Sequence, residues 1–314
     1  RYERIKKYGG ELDLTPGTES DVILTVYRTI ELKKNPTNYS LDQFELMSNY
    51  RFHRYVTGNS AIEAVRDVGT GRIACYAVCV GPAGTFAAGD EMNKAFPECK
   101  LVALEPYECP TLTKDARGQH RIEGIGDKLC SLIQNINNTD FVTLIHDDDA
   151  VKALKIMCDG KDVLVKVGVD PQVAEKYRDL FGVSGMANII GAIKMAKYLK
   201  LGPGDNVMTI ATDGFDRYHS VIEDLEQRYL ETQDFVLERW AKDIFIEASE
   251  DNVHDFRTPI AKERLYEQKE QDWLKFGYSK DFLEKMKNQN YWEEEYNKIP
   301  EWNEKIMKMR GRTI

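Results

Sequence analysis

Four apolar runs of strand length divide the first two thirds of the chain. IACYAVCV (73–80) is continuous, and KLVALEP (100–106), DFVTLI (140–145) and DNVMTIAT (205–212) follow it. A continuous apolar run indicates a strand that is buried on both faces. Helix-like stretches such as AAGDEMNKAF lie between the runs, with glycine or acidic residues at the joints. This alternation predicts an α/β fold, in which an open, mostly parallel sheet carries helices on both faces.

The two ends of the chain differ from this middle part. Residues 1–47 contain GGELDLTPG, which predicts a short strand and a Pro-Gly turn, and we interpret them as the remnant of a small N-terminal domain. Residues 48–225 form the predicted large domain. Residues 226–314 are charged and aromatic with helical spacing, and all four tryptophans lie there. Because disordered segments are poor in aromatic residues, this part is predicted to be a helical C-terminal extension.

The composition excludes several classes of protein. The net charge of -9 and the isoelectric point of about 5.3 argue against nucleic-acid binding. Mean hydropathy is -0.50, and no apolar run approaches the ~20 residues that span a bilayer, so we expect no membrane association. The six cysteines have no zinc-site spacing, which predicts buried, reduced thiols in a cytoplasmic protein. The chain begins at Arg1 without a signal segment, so we expect a processed chain or a piece of a longer one.

The segment VCVGPAGTFAAGDE (78–91) carries the most chemical information. A predicted buried strand ends near Gly81, and Gly84 and Thr85 lead into a helix. The N-terminal amides and the dipole of such a helix favour an anion. Taken alone, the loop fits a phosphate cradle and an ordinary strand-to-helix turn equally well.

A dinucleotide site is a weaker alternative for the same loop. Glu105 follows the next strand, where a ribose-binding acid would stand. The GxGxxG fingerprint fails, however, because Ala83 and Phe86 occupy its second and third glycine positions.

Further segments accompany the loop in a characteristic order. Two precede it, KKYGGELDLTPG (6–17) and DQFELMSNYRFHRYVTG (42–58), and four follow it, KLVALEPYECPTL, GQHRIEGIGDKL (118–129), VSGMANIIGAIKMAK (183–197) and VMTIATDGFDRYHS (207–220). Over roughly residues 1–225 this order resembles the second part of cysteine-synthase-type enzymes, the fold-type II family that depends on pyridoxal 5′-phosphate (PLP). The tail segments QKEQDWLKFG and NQNYWEEEYNKIP resemble an extended subgroup from anaerobic bacteria. The resemblance implies PLP as the cofactor and a fold-type II large domain.

The resemblance also implies roles for individual residues. The cofactor phosphate would lie on the loop residues Gly81, Pro82, Ala83, Gly84 and Thr85. Gln43 falls where the family has a glutamine facing the substrate carboxylate. Gly124 and Gly126 fall in a glycine turn that passes close to cofactor and substrate, and Ser184 and Gly185 match a pair that opens a helix.

Two motifs depart from the family pattern, at three positions. The loop is GPAGT instead of GTGGT; Pro82 removes an amide donor and Ala83 narrows the backbone angles, so at least one phosphate hydrogen bond is replaced or lost. Where the family has a serine at the pyridine nitrogen, this chain has Gly214. We hypothesise that Asp213 or a water takes that role. A carboxylate there would keep the ring protonated and favour carbanion chemistry.

The Schiff-base lysine of the family lies upstream of everything that matches this chain. The Ser/Thr-Asn loop that grips the substrate carboxylate lies upstream as well. No lysine here takes that role by motif, so we interpret the chain as a C-terminal portion that lacks the segment with the catalytic lysine.

Two polar clusters have a structural and a functional interpretation. The run from His146 to Asp149 resembles a metal site, but it follows a strand and precedes a helix-like stretch, so we predict a helix cap and no metal. For His120, which stands beside the glycine turn, a packing role is favoured over general acid-base work.

The leading hypothesis is a PLP-dependent lyase or transferase that acts on a small amino acid by β-elimination or β-replacement. One alternative is the PLP subunit of an amino-ketoacid thiolase, which forms carbon–carbon bonds together with a second subunit. Another is a catalytically silent relative, since GPAGT and Gly214 both weaken the expected grip on the cofactor. The family resemblance further implies a homodimer.

Overall fold

The computed structural model describes residues 2–18, 20–229 and 234–311. Within these ranges, five strands form one sheet: β1 (Ile73–Cys79), β2 (Lys100–Pro106), β3 (Phe141–Ile145), β4 (Asn206–Met208) and β5 (Val253–Asp255). Their order is β4-β1-β2-β3-β5, and every neighbouring pair is parallel except β3 and β5. The predicted open, mostly parallel sheet is confirmed.

Helices fill the intervals and the C-terminal part of the described chain. Before β2 come α1 (Tyr2–Lys7), α2 (Val22–Leu32), α3 (Met47–Phe52), α4 (Gly58–Ala64) and α5 (Gly84–Ala95). Between β2 and β4 come α6 (Thr111–Lys114), α7 (Asp147–Asp159), α8 (Lys161–Lys166), α9 (Pro171–Tyr177) and α10 (Val183–Tyr198). After β4 come α11 (His219–Tyr229), α12 (Asp234–Ala241), α13 (Pro259–Lys275), α14 (Lys280–Lys285), α15 (Gln289–Asn297) and α16 (Ile299–Met309). Short π-helices cover His53–Thr57 and Lys242–Ile246, and 3-10 turns cover Ile136–Asn138 and Phe215–Arg217.

The central strands bury both of their faces, as their continuous apolar runs predict. Successive side chains of a strand point to opposite sides, so the residues of β1 divide between two cores. Tyr76 and Val78 belong to the core that includes residues of α5 and α13, whereas Cys75 and Cys79 belong to the core that includes residues of α7 and α10. Helices therefore cover both faces of the sheet, as predicted.

Three features differ from the sequence prediction. No strand forms in GGELDLTPG among its described residues 9–17, where Gly9 and Gly17 adopt positive φ. The run 205–212 contributes only the three residues of β4 to the sheet; beyond it, the hydroxyl of Thr209 donates to the carbonyl of Ala77 and the side chain of Asn188 donates to the carbonyl of Ile210. β5 was not predicted; Val253–Asp255 is too short for a periodic signal, yet it pairs with β3 and adds part of the predicted extension to the sheet.

Tryptophans anchor the C-terminal helices. Trp273 and Trp292 are fully buried, and the Nε1 atom of Trp273 donates to the carbonyl of Cys130 at 2.7 Å. Trp240 is also buried, but Trp302 on α16 is 45% exposed. The predicted helical extension is thus packed against the sheet domain over its described part, and its residues 230–233 and 312–314 lie outside the described residues. None of the described helices is long and apolar enough to cross a membrane.

Candidate functional site

The loop after β1 opens α5 with free backbone amides. Ala83 is the N-cap residue and adopts a left-handed conformation, with φ of 66°, and no described side chain caps the helix. The first helical hydrogen bond runs from the amide of Ala87 to the carbonyl of Ala83 at 3.1 Å. The amides of Gly84, Thr85 and Phe86 precede it, so they have no partner within the helix. These donors and the helix dipole suit an anion such as a phosphate ester.

Both glycines of this loop stand where a side chain would not fit. A Cβ atom on Gly81 would lie 2.3 Å from the carbonyl oxygen of Gly124, and one on Gly84 would lie 2.4 Å from Oδ1 of Asn49. The loop is therefore pressed between the glycine turn and Asn49. The carbonyl of Pro82 accepts a hydrogen bond from the hydroxyl of Ser131 at 2.7 Å. This bond holds the loop and does not occupy any of its backbone amides.

The glycine turn at 124–126 needs the left-handed region at both of its glycines. Gly124 has φ of 87° and Gly126 has φ of 65°, conformations that a Cβ would strain. The ring of His120 fills the space beside Gly126, with Nε2 3.3 Å from the carbonyl oxygen of that residue. Because Gly124 also abuts Gly81, the turn and the loop after β1 form one continuous wall.

A carboxylate stands at the corner that follows β4. Asp213 accepts a hydrogen bond from the buried hydroxyl of Tyr218 at 2.8 Å, and Arg217 lies 3.5 Å from the same oxygen. The amide of Gly182, the N-cap residue of α10, donates to the carbonyl of Asp213 at 2.7 Å. Gly214 follows directly and packs against the backbone of residue 179. Asp213, and not Gly214, is therefore the residue with a polar side chain at this corner.

One buried asparagine on α10 joins the two corners. Oδ1 of Asn188 accepts from the amide of Cys79 at the end of β1 at 2.6 Å, and its Nδ2 donates to the carbonyl of Ile210 at 2.8 Å. Ser184, on the same helix as Asn188, has its hydroxyl 2.9 Å from the hydroxyl of Thr212. Ser184 and Gly185 lie in the first turn of α10, as predicted, but the role of Asn188 was missed. Its position inside the quoted segment 183–197 gave no signal, because an isolated asparagine in a helix has no telling spacing.

Gln43 is connected to the loop after β1 through Asn49. It is exposed in a turn before α3, and its carbonyl accepts from Nδ2 of Asn49 at 3.1 Å. Asn49 is the residue whose amide group packs against Gly84. The predicted substrate residue and the predicted phosphate loop are thus linked through one side chain that sequence reasoning missed.

Comparisons with known proteins find cysteine synthases and solved structures of related enzymes. A cysteine synthase of Staphylococcus aureus is 28% identical over 221 residues, which are 70% of this chain and 64% of that relative. Cysteine synthase B of Campylobacter jejuni is 27% identical over 221 residues, again 70% of this chain and 66% of the relative. The solved structure of a hydrogen sulfide-producing enzyme from Fusobacterium nucleatum superposes with a TM-score of 0.59 at 25% identity, covering 81% of this chain and 69% of that one. Over about 70% of its length the chain is therefore similar to cysteine synthases.

A second solved structure has the same fold as this chain. O-acetylserine sulfhydrylase isoform 3 of Entamoeba histolytica superposes with a TM-score of 0.60 at 24% identity, over 78% of this chain and 66% of that one. No protein-family model matches the chain. The chain spans less than two thirds of the length of the S. aureus relative.

The carboxylate of Glu105, the candidate ribose-binding acid, is used inside the fold. Its buried carboxylate accepts from the amides of Leu112 and Thr113 at 2.8 and 3.1 Å and from the hydroxyl of Thr113 at 2.7 Å. Burial raises the pKa of Glu105 to about 7, although these hydrogen bonds oppose the shift. The carboxylate therefore caps α6. It is not free to bind a ribose, as the dinucleotide alternative requires.

The acidic run after β3 opens a helix, as predicted. Asp147, Asp148 and Asp149 form the first turn of α7, where carboxylates complement the helix dipole. Nδ1 of His146 lies 3.0 Å from Glu108. Among the described residues, no group of three or more His, Cys, Asp or Glu side chains has the arrangement of a metal site.

Two ionisable residues directly follow the glycine turn and were missed. Asp127 is buried, and its Oδ2 atom would lie 3.1 Å from a Cβ on Gly81. Lys128 is also buried, and its Nζ donates to Oδ1 of Asp21 at 2.5 Å. The lysine that stands beside the turn is therefore held in an ion pair.

Proposed function

We propose that this protein is a PLP-dependent lyase or transferase that acts on a small amino acid by β-elimination or β-replacement. One observation carries the proposal: Asn188 joins the end of β1 to the segment after β4, at the carboxyl edge of the parallel strands. Ligands of open α/β sheets bind at that edge. The free amides of α5 and the carboxylate of Asp213 follow the two joined segments.

The loop after β1 would hold the cofactor phosphate. The amides of Gly81, Ala83, Gly84 and Thr85 are its candidate donors, and the Thr85 hydroxyl adds one more. Pro82 supplies no donor, but its carbonyl bond to Ser131 holds the loop. The donor set therefore fits a phosphate ester despite the departure from GTGGT.

The remaining predicted residues would orient the ring and the substrate. Asp213 would accept a hydrogen bond from the pyridine nitrogen, with Tyr218 holding its carboxylate. When bound, PLP withdraws electrons from the α-carbon of an amino acid and so weakens the bonds around it. Gly124 and Gly126 would leave room for the substrate, and Gln43 would face its carboxylate.

The relatives support this reaction class over the carbon–carbon bond-forming alternative. Two of them are named cysteine synthase, and the Fusobacterium nucleatum neighbour is a hydrogen sulfide-producing enzyme. We further propose a homodimeric, cytoplasmic protein with domains at 1–47, 48–225 and 226–314. The six cysteines, all buried and free, support a reducing compartment.

Titration of the full-length protein with PLP tests the proposal. We expect a visible absorption band with PLP and much weaker binding of pyridoxal, which lacks the phosphate. Asp213→Asn should shift the band and slow turnover, whereas Asp216→Asn, at an exposed neighbouring position, should do neither. A full-length protein that gains no band on adding PLP would overturn the proposal.

A further inference from the structure

The last helix of the described chain, α16, leaves nearly all of its surface exposed. Residues 301–309 are exposed except for Met307, which is partly buried. The rest of the described chain gives α16 little packing: Ile299 is buried at its start, and the guanidinium of Arg51 lies 5.4 Å from the ring centre of Trp302. An 11-residue helix is marginal in water by itself, because packing of its apolar face supplies most of its stability. The exposed face of α16 therefore needs an explanation.

Three large apolar side chains form a stripe along that exposed face. Trp302, Ile306 and Met309 follow one another at intervals of four and three residues, which places them on one side of a helix. They are 45%, 43% and 88% exposed. Apolar residues at such intervals form the face with which one helix packs against another. We call these three residues the apolar stripe.

The charges beside the apolar stripe have opposite signs at the two ends of α16. Glu301 stands in the first turn and Lys308 in the last. They are seven residues apart, so they lie on the same side of the stripe. Lys305 stands between them, and its Nζ lies 2.6 Å from a carboxylate oxygen of Glu301. One side of the stripe is therefore acidic at the start of the helix and basic at its end.

We propose that α16 is an interaction surface and that it binds α16 of a second copy of this chain in antiparallel orientation. Two helices that run in opposite directions about a two-fold axis place Glu301 of each copy opposite Lys308 of the other. Parallel pairing would instead place like charges together. In the antiparallel pair, the two Ile306 side chains meet at the axis, and Trp302 of each copy lies against Met309 of the other, a favourable contact between sulfur and an aromatic ring.

Charge favours a second copy over a membrane surface as the partner. An anionic lipid surface attracts the basic end of α16, but it repels Glu301 at the other end and the chain as a whole, whose net charge is -9. A second copy satisfies both ends at once, because a two-fold contact brings the same surface against itself in reverse.

The contact is small, and it adds to the proposed homodimer. A helix of this length extends over only about 16 Å, so we expect weak association that depends on protein concentration. The inference names a contact surface and uses no PLP chemistry. If the homodimer proposed above forms through another face, pairing of α16 joins two dimers into a tetramer.

Charge reversal in the full-length protein tests the antiparallel arrangement. Glu301→Lys places lysine opposite lysine, and Lys308→Glu places glutamate opposite glutamate, in each case twice. Because like charges that face each other across an interface are strongly unfavourable, either variant should weaken self-association by about ten-fold or more in sedimentation equilibrium. Glu304→Lys is the matched control. Glu304 is exposed and lies on the side of α16 away from the apolar stripe, so this variant should associate like the wild type.

A double variant separates pairing from the stability of the helix itself. Glu301→Lys combined with Lys308→Glu restores opposite charges across the two-fold axis, so association should recover. The same double variant puts a lysine in the first turn and a glutamate in the last, and both oppose the helix dipole. Recovery therefore comes from the second copy and not from a more stable α16. Equimolar mixing of the two single variants should also restore association, because one helix then carries lysines and the other glutamates.

The outcomes of these measurements are distinct from those of the PLP titration. Association that is equal in the wild type and the single variants, or that the double variant fails to restore, overturns pairing through α16. Coverage of α16 by another part of the full-length protein gives the first of these results. If PLP still binds in that case, the proposed function survives. Association that follows the charges in a protein that gains no PLP band would instead overturn the proposed function and leave the α16 contact in place.

Discussion

Replacement of Asn188 by alanine is the sharpest test of how the site is built. β4 ends at Met208, so the amide of Cys79 on β1 has no strand partner, and Asn188 supplies the acceptor at 2.6 Å. The same side chain satisfies the carbonyl of Ile210 at 2.8 Å. The side chain is fully buried, so water does not replace it.

The expected cost follows from these two bonds. A buried backbone donor or acceptor that loses its partner costs about 1–3 kcal/mol, so Asn188→Ala should lower the free energy of unfolding by about 2–6 kcal/mol. Because the two corners of the site are joined through this residue, affinity for PLP should fall as well. Asn188→Asp should not rescue the loss, since a carboxylate has no donor for the Ile210 carbonyl.

Urea unfolding of the full-length protein measures the first effect, and PLP titration measures the second. Asn303→Ala, at an exposed position of α16, is the control and should change stability by less than about 0.5 kcal/mol. A loss below about 1 kcal/mol for Asn188→Ala would refute the joining role. If the free energy of unfolding falls as expected but the affinity for PLP does not change, Asn188 stabilises the fold without shaping the cofactor site.

Three further outcomes are expected from unfolding measurements. Hydrogen bonds from Lys128 and from Thr18 lower the pKa of Asp21 from 3.8 to about 2, so these contacts together should add at most about 2 kcal/mol of stability above pH 4. That contribution should vanish as the pH falls from about 4 to about 2, and Asp21→Asn should remove the pH dependence. Ala83→Gly should remove left-handed strain of about 1–2 kcal/mol from the folded protein. The greater entropy of the unfolded chain with glycine offsets about 0.4–1 kcal/mol of this gain, so the thermal midpoint should rise. Arg54→Ala should lower the free energy of unfolding by about 3–5 kcal/mol in a urea titration, because fully buried Arg54 pairs with Glu293 at 2.7 Å.

The sheet could be predicted because its central strands are buried on both faces. β1 and β2 need apolar residues at nearly every position, and the observed bounds of β2 equal the predicted run 100–106. The family resemblance also pointed to Gly81, Gly124 and Gly126, and each of them stands where a Cβ would clash or strain. Burial of a strand on both faces and a positive φ are requirements of single residues, so they leave a mark in the sequence.

Contacts between distant segments left no such mark. Asn188 bonds to Cys79, which is 109 positions away, and to Ile210, which is 22 positions away. The hydroxyl of Thr209 donates to the carbonyl of Ala77, 132 positions away. These side chains make the bonds that a longer β4 would make with β1. The apolar pattern of the run 205–212 does not show this difference, so it predicted a longer strand. β5 escaped prediction for a similar reason: it owes its conformation to pairing with β3.

Ala83 shows that the loop can keep a left-handed residue without glycine. The sequence argument gave weight to the loss of a glycine, on the ground that alanine avoids positive φ. In the structure Ala83 nevertheless adopts φ of 66° and is buried, with α5 beginning at the next residue. The strain of one left-handed alanine is small compared with the burial of the apolar face of α5, including Phe86 and Met92. We therefore expect alanine at this position to lower the stability of the loop, while the amides of Gly84, Thr85 and Phe86 still stand at the start of α5.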